Sequence, residues 1–554
     1  MIDYRTPLPD ILFALRHGAG ADRLDHWEDE TAEAVLNHAA RMVDEVIAPL
    51  DPAGDIEGAR LIDGRVRMPP GFADAYARFA EDGWQGLAVP EEDGGQGLPH
   101  ILASALSEML SGACITYQMV LSLAHGAMRT LIASGSEAQR RLWVPRLASG
   151  EYLATMCLSE PQAGSDLGLI RTTASPAADG SWRIAGGKIF ISGGDQDLTA
   201  GRIMHLVLAR TPGAPAGVKG LSLFLAPSHR ADGSRNAIQV VRLEEKMGMH
   251  GSPTCQMAFD DAEAEIIGAP GEGLKRMFTM MNAERLDVAV QGVGLTEVAL
   301  QRSLAYANER RQGRAGTGGG PDILIRHGDV RRMLLIQMAL AMGCRAMVMR
   351  TLVDLELGAS PALMELMTPV CKAFATEAAQ EAASLAIQIH GGYGFLREYR
   401  VEQIARDGRI TPIYEGTNGI QAATVAGRVI RLDNGAAIAA FKADMAEARM
   451  AATPAMAARL DQALADFDAA TAAMLGRRDI GLGAVSYLRL IGLIAFGAAW
   501  ARLEVAAEYA PNPERIRAVA GFVRDWMLPE VAHLAERCRD GAELAGLADG
   551  IFAA

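Results

Sequence analysis

The run WRIAGGKIFISGG, residues 182–194, decides how the chain is read. Branched and aromatic residues alternate with small or polar ones over a short span that two glycines close, the pattern of a half-buried strand entering a turn. IMHLVLART (203–211), GLSLFLAP (220–227), IQVVRLEEK (238–246) and CQMAFDD (255–261) repeat it. Residues 152–270 are therefore expected to form a compact antiparallel β domain.

On both sides the period changes. TAEAVLNHAARMVDEVIAPL (31–50), GFADAYARFAEDGW (71–84) and SEAQRRLWVPRLASG (136–150) carry helical spacing, and PEEDGGQGLP (90–99) reads as a loop between helices. Beyond residue 271 long helical segments return at 273–311, 329–356 and 367–392, a pattern of helical bundles. QGRAGTGGGPDILIRHGD (312–329) is the expected flexible loop between them. An alanine-rich helical segment closes the chain. The expected architecture is mainly α with a central β domain, divided into 1–151, 152–270, 271–433 and 434–554.

The chain has 554 residues, 50 % of them hydrophobic and 22 % charged, enough for several domains with large cores. A net charge of −14 with no Lys/Arg run argues against a nucleic-acid partner. The six cysteines have no CxxC or metal-ligand spacing and read as reduced core residues of a cytoplasmic protein, with no metal site. No secretory signal is read in MIDYRTPLPD, and the apolar stretch Leu490–Ala501 is too short to span a bilayer, so a buried helix is expected there.

Three stretches carry chemistry. MCLSEPQAGSD (156–166) and KIFISGG (188–194) offer hydroxyls, glycines and an aromatic at strand ends, where a flat polar ring system can lie; taken alone, an ordinary turn between strands is the favoured reading. IHGGYGFLREY (389–399) places glycines where a helix ends, open to close approach by a cofactor or serving as a plain C-cap. It lacks the strand and spacing of a nicotinamide fingerprint. IYEGTNGIQ (413–421) puts Glu415 in small, apolar surroundings before a helix that Thr417 or Asn418 can cap. Desolvation there would push its pKa up towards that of a general base, the alternative being a plain glutamate of the capping region.

In order and spacing these stretches resemble the acyl-CoA dehydrogenase family over residues 30–430. The resemblance implies an N-terminal helical domain, a middle antiparallel β-barrel and a C-terminal four-helix bundle, with a C-terminal helical extension added here. It implies FAD as cofactor, with Met156, Leu158, Ser159, Phe190 and Ser192 along the isoalloxazine ring. Arg310 would contact the pyrophosphate from the neighbouring subunit, Gln388, Gly391 and Gly392 would meet the adenine end, and Thr417 is a further FAD contact. Glu415 falls on the catalytic base. Ser165 near the pantetheine arm, Arg285 near CoA, and Tyr414 and Gly416 beside the base are the implied substrate contacts.

There are departures from the family pattern. Met156 stands where many members carry an aromatic residue, and serine replaces threonine at Ser159 and Ser192. Gly419 replaces a frequent adenine-contacting glutamine, and the sequence after Arg311 departs from the usual loop. Glu284, in NAERL, matches the position from which a minority of relatives draw the base; with the glutamate of YEGT present, it is expected to be a site-wall or helix-surface residue. The implied reaction removes the α-proton and β-hydride of an acyl-CoA to give a trans-2-enoyl-CoA, with electrons passing to electron-transfer flavoprotein. Length and extension resemble a bacterial subgroup that includes 3-methylmercaptopropionyl-CoA dehydrogenases and whose members tend to be homodimers; short- or medium-chain acyl-CoAs are the other expected substrates. An acyl-CoA oxidase, a lyase on the same fold and a non-catalytic scaffold are the rival readings.

Overall fold

In the computed structural model, residues 3–316, 320–477, 479–540 and 549–551 are described. Contacts divide the chain into two compact units, His38–Asp287, and Met1–Asn37 with Val288–Ala554.

The unit His38–Asp287 opens with the end of α1 (Asp29–Met42), a two-stranded ribbon of β1 (Arg60–Ile62) and β2 (Arg65–Arg67), and α2 (Phe72–Glu81). The PEEDGGQGLP stretch leads into α3 (His100–Ser134), whose backbone leaves the helical region at Cys114. Helix α4 (Glu137–Ala148) starts on a capping box: the Ser136 hydroxyl accepts from Gln139 N, and the Gln139 side chain accepts from Ser136 N. The sheet domain follows, with β3 (Leu153–Cys157), β4 (Thr173–Pro176), β5 (Trp182–Ser192), β6 (Ile203–Arg210), β7 (Leu221–Pro227), β8 (Ile238–Leu243) and β9 (Thr254–Ile267). Strand β9 pairs antiparallel with β5, β7 and β8, and β6 pairs antiparallel with β7.

The expectation of an antiparallel domain needs correction. Strand β3 runs parallel to β6, from Leu153 beside Ile203 to Cys157 beside Val207, and β4 meets β6 in one parallel pairing at Thr173 and Arg210. The sheet is mixed. Parallel neighbours need a crossover, here the chain through β4 and β5, and alternation within a strand carries no information about the direction of its partner.

In the other unit the bundle is built from the C-terminal part of α5 (Gly273–Glu309), α6 (Gly328–Glu356), α7 (Pro361–His390), α8 (Val401–Gly408) and α9 (Asn418–Gly427). Part of the expected flexible loop, 317–319, lies outside the described residues. Behind the bundle stand α10 (Ala436–Ala451), α11 (Pro454–Gly476), α12 (Gly481–Val505), α13 (Pro513–Phe522) and α14 (Glu530–Asp540), with 541–548 and 552–554 of the expected extension outside the described residues. Helix α12 packs directly on α6 and α7: a Cβ at Gly343 would fall 2.3 Å from both the Phe496 ring and Trp500 Nε1, and Trp500 Nε1 donates to Ala339 O at 3.1 Å. Only glycine permits that approach. Helices α6 and α12 are long and apolar enough to cross a membrane by composition, but 83 % and 78 % of their apolar windows are buried, so their apolarity serves the core.

All six cysteines are free and buried. Burial pushes the thiols of Cys157 and Cys538 up to about 11 and those of Cys255 and Cys371 up to about 12. The thiolate is the reactive form. Native protein at pH 8 is therefore expected to titrate almost no thiol with a disulfide reagent over minutes and all six once unfolded; rapid native labelling of two or more would contradict this packing.

Candidate active site

The predicted site residues fall in both units. Within His38–Asp287, Met156 sits half-buried on β3, followed by buried Leu158 and half-buried Ser159. A fully buried ion pair holds this turn: Lys188 Nζ lies 2.8 Å from Glu160 Oε1 and donates to Leu158 O at 3.0 Å. Glu160 also accepts from Thr172 Oγ1 (2.6 Å), Thr172 N (3.0 Å) and Arg171 N (2.7 Å). Burial alone would raise the Glu160 carboxyl, but the Lys188 charge and these donors outweigh it and bring it down to about 2. Burial in turn lowers the Lys188 ammonium.

The far side of the turn is bonded to β5, where Ile189 N donates to Ser159 O at 2.9 Å. Pairing with β9 then shifts register between Lys188 and Ile191, and Phe190 in the gap takes φ 61° with 62 % of its surface exposed. A large aromatic in the left-handed region, turned out of the core beside half-buried Ser159 and Ser192, is costly and presents a flat apolar face. Ser165 is exposed on the following loop, which Asp166 closes by accepting from Gly168 N at 2.9 Å.

Glu284 is buried rather than on the helix surface. A Cβ at Gly126 would fall 2.6 Å from its Oε1, so the carboxylate lies against the backbone of α3. One turn on, Asp287 accepts from Ser107 Oγ (2.6 Å) and Gln118 Nε2 (2.8 Å), and burial raises its pKa. Half-buried Arg285 donates to Asn282 Oδ1 at 3.0 Å.

In the other unit, Glu415 has φ 56° and Gly416 φ 90°, two consecutive left-handed residues ahead of α9. Thr417, one of the two expected caps, caps that helix by accepting from Ile420 N at 3.2 Å. Tyr414 OH donates to buried Gln291 Oε1. Fully buried Lys372 donates to Gly416 O (3.0 Å) and Asn418 Oδ1 (2.9 Å), and Gln421 Nε2 donates to Glu415 O and Gly416 O, both at 3.2 Å. Lys372 and Gln421 were not among the residues expected from sequence, and Asn418 only as a helix cap; the signal for the first was a lysine inside the apolar run VCKAFA.

Elsewhere in that unit a cavity of about 400 Å³ is lined by Tyr306, Arg310, Gln312, His390, Gly391 and Tyr393, among others. The Arg310 guanidinium stands 5.2 Å over the Tyr393 ring, and Tyr306 stacks on His390 at 4.2 Å. Gly391 ends α7 at φ 61°, donating to Gln388 O, and a Cβ on Gly391 or Gly392 would meet nothing within 4 Å. Gln388 is exposed and does not line the cavity.

These groups fit the parts of FAD. The outward Phe190 with two serine hydroxyls suits a flat ring with polar edges, and a cavity with a guanidinium, aromatic faces and open glycine backbone suits an anionic linker ending in a heterocycle.

The chain matches family models described as the acyl-CoA dehydrogenase N-terminal domain at residues 29–151, the middle domain at 155–262 and the C-terminal domain at 271–430. A model described as acetyl-CoA dehydrogenase C-terminal like matches 435–546. It is 41 % identical to a 3-methylmercaptopropionyl-CoA dehydrogenase of Ruegeria pomeroyi, covering 89 % of this chain and 90 % of the relative. It is 33 % identical to a broad-specificity linear acyl-CoA dehydrogenase of Mycobacterium tuberculosis, covering 90 % and 89 %. The crystal structure of an acyl-CoA dehydrogenase complexed with FAD from Bacillus anthracis shares the fold, with a TM-score of 0.77 at 20 % identity over 99 % of this chain and 93 % of that one.

Proposed function

The chain belongs to the acyl-CoA dehydrogenase family, and we propose that it oxidises the Cα–Cβ bond of an acyl-CoA thioester to a trans-2-enoyl-CoA with Glu415 as the base that takes the α-proton. It is an FAD-dependent oxidoreductase. The observation that carries the base assignment is the backbone at Glu415. A non-glycine residue in the left-handed region costs about 1–3 kcal/mol, and such strain persists where surrounding contacts impose it and function uses it. Here the imposing contacts hold the carbonyls of Glu415 and Gly416, through Gln421 and Lys372.

Met156, Leu158, Ser159, Phe190 and Ser192 would hold the isoalloxazine ring, and Thr417 would add a further contact. Arg310, Gly391, Gly392 and, by resemblance alone, Gln388 would hold the pyrophosphate and adenine of the neighbouring subunit's cofactor. When bound, FAD supplies the acceptor for the hydride that leaves Cβ. The residues of this chain fix the acyl group and take the proton: Glu415 by its carboxylate, its backbone N–H as a donor to the thioester oxygen, and Tyr414, Gly416, Ser165 and Arg285 as substrate contacts.

The division into 1–151, 152–270, 271–433 and 434–554 is supported by the spans of the four family models. Pairing that runs from β4 through β5, β9 and β7 to β6, with one link back to β4, supports a closed barrel. The relative from Ruegeria supports 3-methylmercaptopropionyl-CoA as substrate, with linear acyl-CoAs next. Electron-transfer flavoprotein as acceptor, a homodimer and a cytoplasmic location complete the reading.

The protein is expected to purify yellow, with flavin absorbance bands and FAD released on denaturation. A colourless protein that takes up no FAD on reconstitution would contradict the cofactor assignment.

A further inference from the structure

We infer that Lys372 is a positioning residue for catalysis, acting through Glu415 rather than touching substrate; this rests on the assignment of Glu415 as base. The turn at 415–416 has no regular secondary structure to hold it, and Glu415, a non-glycine residue at φ 56°, does not keep that conformation unaided. Two side chains hold the carbonyls of the turn, and a third braces the first of them. Lys372, on the buried face of α7, reaches Gly416 O and Asn418 Oδ1 with its ammonium. Gln421, one turn into α9, donates to the carbonyls of both Glu415 and Gly416. Asn418, oriented by Lys372, turns its amide back to α7 and donates to Thr376 Oγ1 and Glu377 Oε1, each at 3.2 Å.

Burying an ammonium is expensive, and an apolar residue of the same length would fill the space in α7 at lower cost. What the ammonium adds is a charge-assisted bond to the carbonyl of Gly416, one residue beyond Glu415, stronger than the neutral bonds Gln421 makes to the same turn. That bond fixes the direction in which the Glu415 side chain leaves the backbone. A base misplaced by about 1 Å loses on the order of 100-fold in rate, so the contact acts on the rate of proton removal rather than on acyl-CoA affinity.

A double-mutant cycle on the FAD-loaded protein tests this, reading anaerobic flavin reduction by butyryl-CoA or 3-methylmercaptopropionyl-CoA in Lys372→Met, Glu415→Gln and the double variant, alongside FAD content, acyl-CoA affinity and Tm. Lys372→Met is expected to slow reduction about 10- to 100-fold with FAD content and acyl-CoA affinity unchanged, and to cost nothing further once Glu415 is glutamine. Gln421→Met, which removes the neutral amide donor to the carbonyls of Glu415 and Gly416, is expected to follow it in a weaker form and decides the matter if Lys372→Met does not accumulate loaded with FAD. A variant of full speed, or an equal loss in both backgrounds, overturns the inference while leaving the base in place. Glu415→Gln reducing at the wild-type rate overturns the base assignment and the inference with it.

Discussion

Glu415→Gln is expected to bind acyl-CoA and FAD as the parent does and to reduce its flavin about 10²–10⁴-fold more slowly, the usual loss when a positioned general base is removed. The amide matches the carboxylate in size, and the carbonyls of residues 415 and 416 are held by Gln421 and Lys372, so the turn has no reason to move. Binding and chemistry separate in such a variant, which marks an interaction made in the transition state. Glu284→Gln is expected to retain most of the rate, because that carboxylate lies against the backbone of α3 at Gly126. Rapid mixing under anaerobic conditions distinguishes the two, and loss of reduction in Glu284→Gln with retention in Glu415→Gln would reverse the roles.

The second large effect is expected on stability. Lys188→Met leaves the Glu160 carboxylate buried without its cation, and breaking one side of a buried pair costs about 3–5 kcal/mol. The same carboxylate gathers Thr172, Arg171 and the turn 158–160, so the loss is expected to lower the melting temperature and release FAD together. Adding Glu160→Gln should recover part of both, since an amide is cheaper to bury than a lone charge. Acid should break the same pair from its other side. The Glu160 carboxyl is brought down to about 2 in the folded protein from its ordinary 4.5, so its contribution is complete above about 4.5 and is lost as pH falls from there through 2. Wild-type stability should therefore fall more steeply between pH 4.5 and 2 than that of the Lys188→Met/Glu160→Gln pair. Equal slopes, or a single variant as stable as the parent, would show that the pair does not hold the turn.

Much of this was legible in the sequence, for identifiable reasons. Helices and strands announce themselves by period, and the glycines of IHGGYGF mark the end of a helix because Gly391 must take a positive φ. Period carries no information about partners. It could not show that β3 runs parallel to β6, nor that the stray charges of Glu160 and Lys188, read as motif letters, meet inside the sheet domain. The same holds for Glu284, whose surface or buried placement depends on how closely Gly126 lets α3 approach. Residues that face a ligand fall within short motifs, whereas those that hold the motif in shape come from elsewhere in the chain. Lys372 lies 43 residues before the base it is inferred to position, on a helix whose pattern indicates only burial.

The most direct measurement is anaerobic mixing of the FAD-loaded protein with 3-methylmercaptopropionyl-CoA and with linear acyl-CoAs, following flavin absorbance and then the mass of the released thioester. Bleaching of the flavin together with a product lighter by two hydrogen atoms is the predicted result; a flavin that stays oxidised with every thioester, or a product cleaved elsewhere in the acyl chain, would contradict it.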